Sequence, residues 1–277
     1  MRYSRIEKTF RMILSICLLT GFSSCSDNPA DSNDTPPQIP SPQTTMLIDV
    51  SAFTLNPSKT ARIDDRIVNT KQNFLTAAAV VTVFNTTVLL GISVPAAAAA
   101  AALSVEPTFE SDNKFHWRFT FSENGLNLSL ELTAEVNRET VAWEMFVTGN
   151  FPTPLEHFLW YDGESQRDGA SGHWQFYNPQ KPNEKDGIAR IDWTFVSEKD
   201  RTLIFLNDND ESDGFGDTLT YTVKDDDVKM IFVKASTQET IEVALDAGTK
   251  EGHIIAPSYK EGQKSCWDRN LDDAECP

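Results

Sequence analysis

From Phe115 onward the chain alternates. Phe115, Trp117, Phe119 and Phe121 fall on one side of an extended backbone, with His116, Arg118 and Thr120 on the other. Leu126, Leu128, Leu130, Leu132, Ala134 and Val136 repeat the pattern against Asn127, Ser129, Glu131, Thr133 and Glu135. Val141, Trp143, Met145 and Val147 form a third set. A period of two held this long predicts antiparallel strands with one buried and one wet face. Glu123-Asn124-Gly125 and Asn137-Arg138-Glu139 suit hairpin connections. Further strands are expected at 157–162, 172–178, 188–196, 202–207, 218–224, 228–234, 240–246 and 252–256, and Met46–Leu55 reads as a first strand. The longest loops fall at 163–171 and 179–187.

The stretch between that first strand and the alternating region is different. Gln72 to Val105 contains no charged residue and ends in seven alanines, Ala96 to Ala102. Pro95 fits the first turn of a helix, so two helices are predicted, about 62–91 and 95–104. An uncharged run of this length has to be tested as a membrane span. Asn73, Asn85, several threonines, Gly91 and Pro95 interrupt it, which favours a helix buried on nearly all sides. The expected fold is one mainly β (α+β) domain over 46–277. It is a long antiparallel meander of about eleven strands, a curved sheet or partly open barrel, with one or two helices (about 62–104) on its apolar face. Its edges must be closed or covered.

The N-terminus adds an address. Residues 1–11 are basic, and Met12 to Phe22 is an apolar run too short to span a bilayer but suited to a signal-peptide core. Phe22-Ser23-Ser24-Cys25 resembles the lipobox of bacterial lipoproteins, although Phe22 departs from the usual leucine. The resemblance implies cleavage after a signal peptide at 1–24 and a palmitoylated, diacylglycerol-bearing Cys25. Multiple acyl chains make such an anchor stable. Residues 26–45 hold five prolines, no aromatic residue and no Lys or Arg. With Cys25 they are expected to form a disordered tether, reaching ~60 Å if extended. Its Ser26-Asp27-Asn28 start resembles the tethers of surface-exposed lipoproteins in Bacteroidota-like bacteria. The implied location is the outer membrane, at the cell surface or on its periplasmic side.

Of four cysteines, Cys17 lies in the signal peptide and Cys25 in the lipobox. Cys266 and Cys276 remain within SCWDRNLDDAECP, and an even pair in an exported protein reads as a disulfide. The Cys-Trp-Asp … Cys ending resembles those of other bacterial lipoproteins, without implying an activity. Charge excludes one class of partner. Of 277 residues, 41 are acidic and 24 basic. Past residue 24 the balance is 40 against 20, or −20. A body this acidic repels nucleic-acid backbones and anionic lipid surfaces.

Candidate chemistry is sparse. Asn209-x-Glu211-x-Asp213-Gly214-x-x-Asp217 resembles the calcium loops of thrombospondin-type repeats, with two aspartates replaced. Calcium needs six to eight oxygens, so Asn209, Glu211, Asp213 and Asp217 would be its ligands here. The alternative is a solvated hairpin loop. His116, His157, His173 and His253 show no metal-binding spacing, although His173 and His253 each open a strand, which lets them meet in space. Glu131, Glu144 and Asp192 lie on strand faces as carboxylates for sugar chemistry. Trp143, Trp160, Tyr161, Trp174, Tyr177 and Trp193 are candidate sugar-stacking surfaces. Because neighbours on a strand face opposite ways, one of Trp160 and Tyr161 is expected outside the core. No GxSxG, Walker or GxGxxG motif occurs. The chain therefore reads as a non-catalytic, membrane-anchored binding or structural module. The alternatives are a carrier or sensor of lipophilic molecules and a glycan-binding or glycan-active surface protein.

Overall fold

Unbroken alternation with short turns lets each strand pair with the one before it. The computed structural model describes residues 35–54, 70–123, 125–151 and 153–277. Among these residues the first strands are β1 (Thr108–Phe109), β2 (Phe115–Glu123), β3 (Leu126–Val136), β4 (Thr140–Asn150), β5 (Pro154–Gln166), β6 (Ser171–Tyr177) and β7 (Gly187–Ser197). Then follow β8 (Asp200–Asn207), β9 (Thr218–Lys224), β10 (Asp227–Val233), β11 (Thr240–Asp246), β12 (Gly252–Ile255), β13 (Ser265–Trp267) and β14 (Asp273–Ala274). They form one antiparallel sheet in sequence order with no crossover, and its two ends do not pair, so the sheet stays open. The strands beyond the expected eleven are the two- and three-residue pieces β1, β13 and β14, too short to show a period. Gly163–Gln166, expected in a loop, extends β5. Pro107, which has no N–H to donate, precedes β1. β1 pairs only with Phe115 and His116, at the start of β2.

Three corrections concern the segments around the sheet. The proline-rich stretch expected as tether is already structured from Thr35: Ile39 and Thr45 are buried, Pro42–Thr45 is a short helical turn (α1), and Thr35–Pro277 is one compact unit. Met46–Leu55 is not a strand. The Asp49 carboxylate accepts the Ser51 N–H at 2.9 Å, and a 3-10 turn over Ser51–Phe53 follows, so the backbone turns locally. Met46, Ile48 and Phe53 enter the core individually, and Leu55 lies outside the described residues. The two predicted helices are one, α2 (Gln72–Ala102), with Pro95 inside it; residues 62–69 of the prediction lie outside the described residues. α2 bends by 65° between Val88 and Gly91. Pro95 has no N–H for the Gly91 carbonyl and its ring crowds that turn. No single helix among the described residues is long and apolar enough to cross a bilayer, though the two arms of α2 together match one in length and composition.

α2 packs against β2 and β3 near one end of the meander and against β12, β13 and β14 at the other, so the sheet curls around it. Phe74 meets Trp267 edge-on at 5.6 Å, and Phe84 stacks on Phe232 at 4.8 Å. α1 packs against β7 and α2, and Trp174 Nε1 donates to Thr45 Oγ1 at 3.2 Å. On the same face a single device recurs three times. Gly163, Gly172 and Gly252 stand directly across from Trp174, Trp193 and Trp267. Each indole lies where a Cβ on its glycine would sit; at Gly172 the Trp193 ring comes within 2.5 Å of that position.

The start of α2 is fixed to the C-terminal hairpin by Asn73, 2% exposed. Its Nδ2 donates to the Cys266 carbonyl at 2.6 Å, and its Oδ1 accepts from Tyr259 Oη and Lys260 Nζ, both at 2.8 Å. Its backbone N–H donates to Asp273 at 2.8 Å, and Lys71 pairs with Asp272 at 2.9 Å. The expected Cys266–Cys276 disulfide closes the same hairpin. Asn73→Ala strands the buried Cys266 carbonyl and the half-buried Tyr259 hydroxyl, each worth roughly 1–3 kcal/mol when unpaired. We expect a loss of about 2–3 kcal/mol in urea unfolding with an unchanged m-value. Reducing the disulfide should lower stability by about 2–3 kcal/mol in the loop-entropy model.

Candidate functional site

The polar face of β2–β5 carries the most organised cluster of side chains. Strand register builds it as a grid. Arg118, Glu131 and Phe146 are cross-strand neighbours in one row. His116, Thr133 and Glu144 form the row on one side, and Thr120, Ser129 and Thr148 the row on the other. β5 contributes His157 through a bulge opposite Val147–Gly149. His157 sits at φ +49° and donates its backbone N–H to Thr148 Oγ1 at 3.0 Å. The bulge re-aims its ring so that it stacks on Phe146, 4.2 Å away and 10° from parallel.

A second irregularity in β5 corrects the reading of Trp160 and Tyr161. Tyr161 pairs with Met145 and Leu159 with Phe146, leaving Trp160 as an extra residue. The alternation changes phase there, and both rings face inward, at 4% and 1% exposure. Four successive apolar residues, Phe158 to Tyr161, were the sequence signal of this bulge. Trp143, Trp174, Tyr177 and Trp193 are buried as well, so none of the six expected stacking aromatics forms an exposed platform.

Charge in the grid is tightly arranged. His116 is 7% exposed, with Nδ1 2.8 Å from Glu131 and Nε2 3.1 Å from Asp112. Both ring nitrogens thus face carboxylates, which suits the imidazolium. Burial pushes the His116 pKa down, but the hydrogen bonds to Glu131 and Asp112 and the charges of Glu110 and Asp112 raise it overall. Glu131 is opposed by burial too. Hydrogen bonds from His116 and His157, with the Arg118 charge, nonetheless hold it below the usual carboxylate range. Arg118 reaches Glu131 at 2.7 Å and also pairs with Glu110, while His157 Nε2 lies 3.2 Å from Glu131. Arg118, Phe146, His157 and the Thr120, Ser129 and Thr148 hydroxyls line a groove of about 390 Å³.

Comparison of the chain with protein-family models, with curated proteins and with solved structures found no match. The grid itself therefore carries the functional argument.

The remaining candidates do not assemble. Glu144 is bound by Lys114 at 2.7 Å, and Asp192 by Arg190 at 2.7 Å. His173 and His253 lie on β6 and β12, six strands apart in the sheet, and His253 pairs with Glu242 at 3.0 Å. Three of the four expected calcium donors are engaged by other groups. Asn209 Oδ1 accepts the Glu211 N–H at 3.1 Å, Glu211 pairs with Lys181 at 2.8 Å, and Asp217 accepts the Ala235 N–H at 2.8 Å. Among the described residues no three His, Cys, Asp or Glu side chains gather to hold a metal. Loop 207–217 is a hairpin connection whose turns are bonded through Asn207, Asn209 and Ser212. Sequence reasoning singled out Glu131 but missed Arg118, Asp112 and Phe146, and missed the re-aiming of His157.

Folding raises the His116 pKa above about 6.5. Its stabilising contribution is therefore complete below that value and is lost as pH rises through the folded pKa. Glu131 is lowered, so its contribution is present above about 4.3 and is lost as pH falls through its folded pKa. An NMR titration should place the His116 midpoint above that of an unperturbed histidine. Glu131→Gln should bring it down, and an unmoved midpoint would contradict the assigned pairing.

Proposed function

We propose that this chain is a lipid-anchored protein of the bacterial cell envelope, held at the outer membrane through Cys25. In this reading its β domain is a non-catalytic binding module. The ligand site is the Arg118–Glu131–Phe146–His157 groove, and its chemistry suits a neutral, polyhydroxylated ligand such as a saccharide. The reading rests chiefly on one contrast. The sheet's apolar face is filled by α2 and the N-terminal strap, whereas the Arg118–His157 groove lies on the polar face. A carrier of lipophilic molecules needs a cavity beneath the helix, where Phe74, Ala77, Val81, Ala98 and Trp267 instead pack at 0–2% exposure. Glu131, held ionised by its neighbours, lacks the raised pKa of a general acid. It is suited to accepting hydrogen bonds beside a small aromatic surface, with three hydroxyls and a guanidinium in reach.

Expression in a bacterium that processes lipoproteins should give a membrane-bound protein that incorporates labelled palmitate. Cys25→Ala should lose both the label and the membrane fraction; a soluble, unlabelled wild type would sink the anchor. The groove is tested by titrating immobilised protein against an oligosaccharide array. His157→Ala and Phe146→Ala should each weaken any saccharide hit about fivefold or more, the size expected from losing one aromatic contact of ~1 kcal/mol. Equal binding by both variants would place the ligand elsewhere.

A further inference from the structure

The uncharged helix α2 is mostly buried at its two ends; at its middle Phe84 and Val88 still pack on the core while the outer side is exposed. Asn73, Phe74, Ala77 and Val81 pack inward, as do Ile92, Ala96 and Ala102. Between them Thr82, Thr86, Thr87 and Gly91 are exposed, and Val83 is 61% exposed. This elbow coincides with the 65° bend. Its polar groups are already used. Thr82 Oγ1 donates to the Ala78 carbonyl at 2.7 Å, Thr86 to Thr82 at 2.8 Å and Thr87 to Val83 at 2.9 Å. Back-bonded threonines have their hydroxyl protons already used within the helix, as helices in lipid use Ser and Thr side chains to satisfy backbone groups. The result is an uncharged exposed surface on a chain that carries −20 beyond residue 24.

Two further observations name its occupant. Nine residues separate Cys25 from Thr35, where the described domain begins. Even fully extended, ten steps of ~3.5 Å let the domain stand no more than ~35 Å from an anchor at Cys25. The strap at the start of the described domain is itself packed on α2 through α1. Elsewhere the acidic surface is repelled by anionic headgroups. We infer that the α2 elbow rests in the interfacial layer of the bilayer to which Cys25 tethers the chain. It is a second, reversible contact that fixes the domain's orientation and presents the opposite, groove-bearing face away from the lipid. This inference depends on the lipid anchor proposed above.

The test uses the full-length, lipidated chain in phosphatidylcholine vesicles. Thr86→Cys, labelled with an environment-sensitive fluorophore, reports the elbow, and labelled Thr194→Cys, exposed on β7, is the reference. Flotation with the vesicles reports the anchor separately. The expected result is flotation of both proteins, with a blue-shifted, several-fold brighter signal at position 86 alone, quenched by nitroxide-bearing lipids. Val83→Glu in the Thr86→Cys background should abolish the shift while flotation persists. Flotation with equal, water-like emission at 86 and 194 overturns the elbow contact and leaves the anchor standing. Failure of both proteins to float overturns the anchor, and the elbow contact with it.

Discussion

A single open meander has one apolar face and no second sheet to press against it. Covering that face is the constraint on which the rest of the molecule depends. The cover is α2, and its lack of charge from Gln72 to Ala102 follows from burial at both ends. Alanines let its second arm approach the sheet closely. The curl of the sheet follows as well, since one helix touches strands near both ends of the meander. What the helix leaves uncovered is filled by the strap through Ile39, Met46, Ile48 and Phe53. Tryptophans laid over Gly163, Gly172 and Gly252 fill space close to the backbone where an ordinary residue would hold them off.

Much of this was legible in the sequence because period-two alternation is a direct imprint of a half-buried sheet. β2 to β4, β6 to β12 and the disulfide fall where the pattern put them. The failures have separate physical causes. In β5 a bulge moved the phase by one residue and took Trp160 inside with Tyr161. β1, β13 and β14 have too few residues for any period. Strap residues 46–54 had strand-like composition, but an Asp49 turn and individually inserted apolar side chains left no ladder partner. Pro95 looked like a helix start and instead sits just past a bend. Residues 35–45 read as tether because proline suggests extension, whereas Ile39, Pro42 and Thr45 are packed in the interior.

The outer-face grid was harder to foresee for a different reason. Its residues come from four strands, and only the exact hairpin registers bring Arg118, Glu131 and Phe146 into one row. A one-residue slip in any of the intervening turns would turn that row toward the core. Glu131 was visible among many acids. Its neighbours were not, because the bulge that swings His157 over Phe146 leaves no trace in local composition. The division of labour is clear in retrospect: the apolar face holds the fold together, and the polar face is free to carry chemistry.

Nearly every strand can pair as soon as its sequence neighbour exists, so the meander suits zipping from one hairpin to the next. The helix start does not share this convenience. Asn73 bonds the Cys266 carbonyl, 193 residues further along the chain. A chain synthesised from its N-terminus can assemble most of its sheet while that asparagine still lacks its partners. Tyr259, Lys260, Cys266 and Asp273 together settle the first turn of the helix. The Ser265–Ala274 hairpin thus locks the helix start from a distance, and a chain cut before Ser265 would keep β1 to β12 but lose the Cys266 and Asp273 bonds to Asn73.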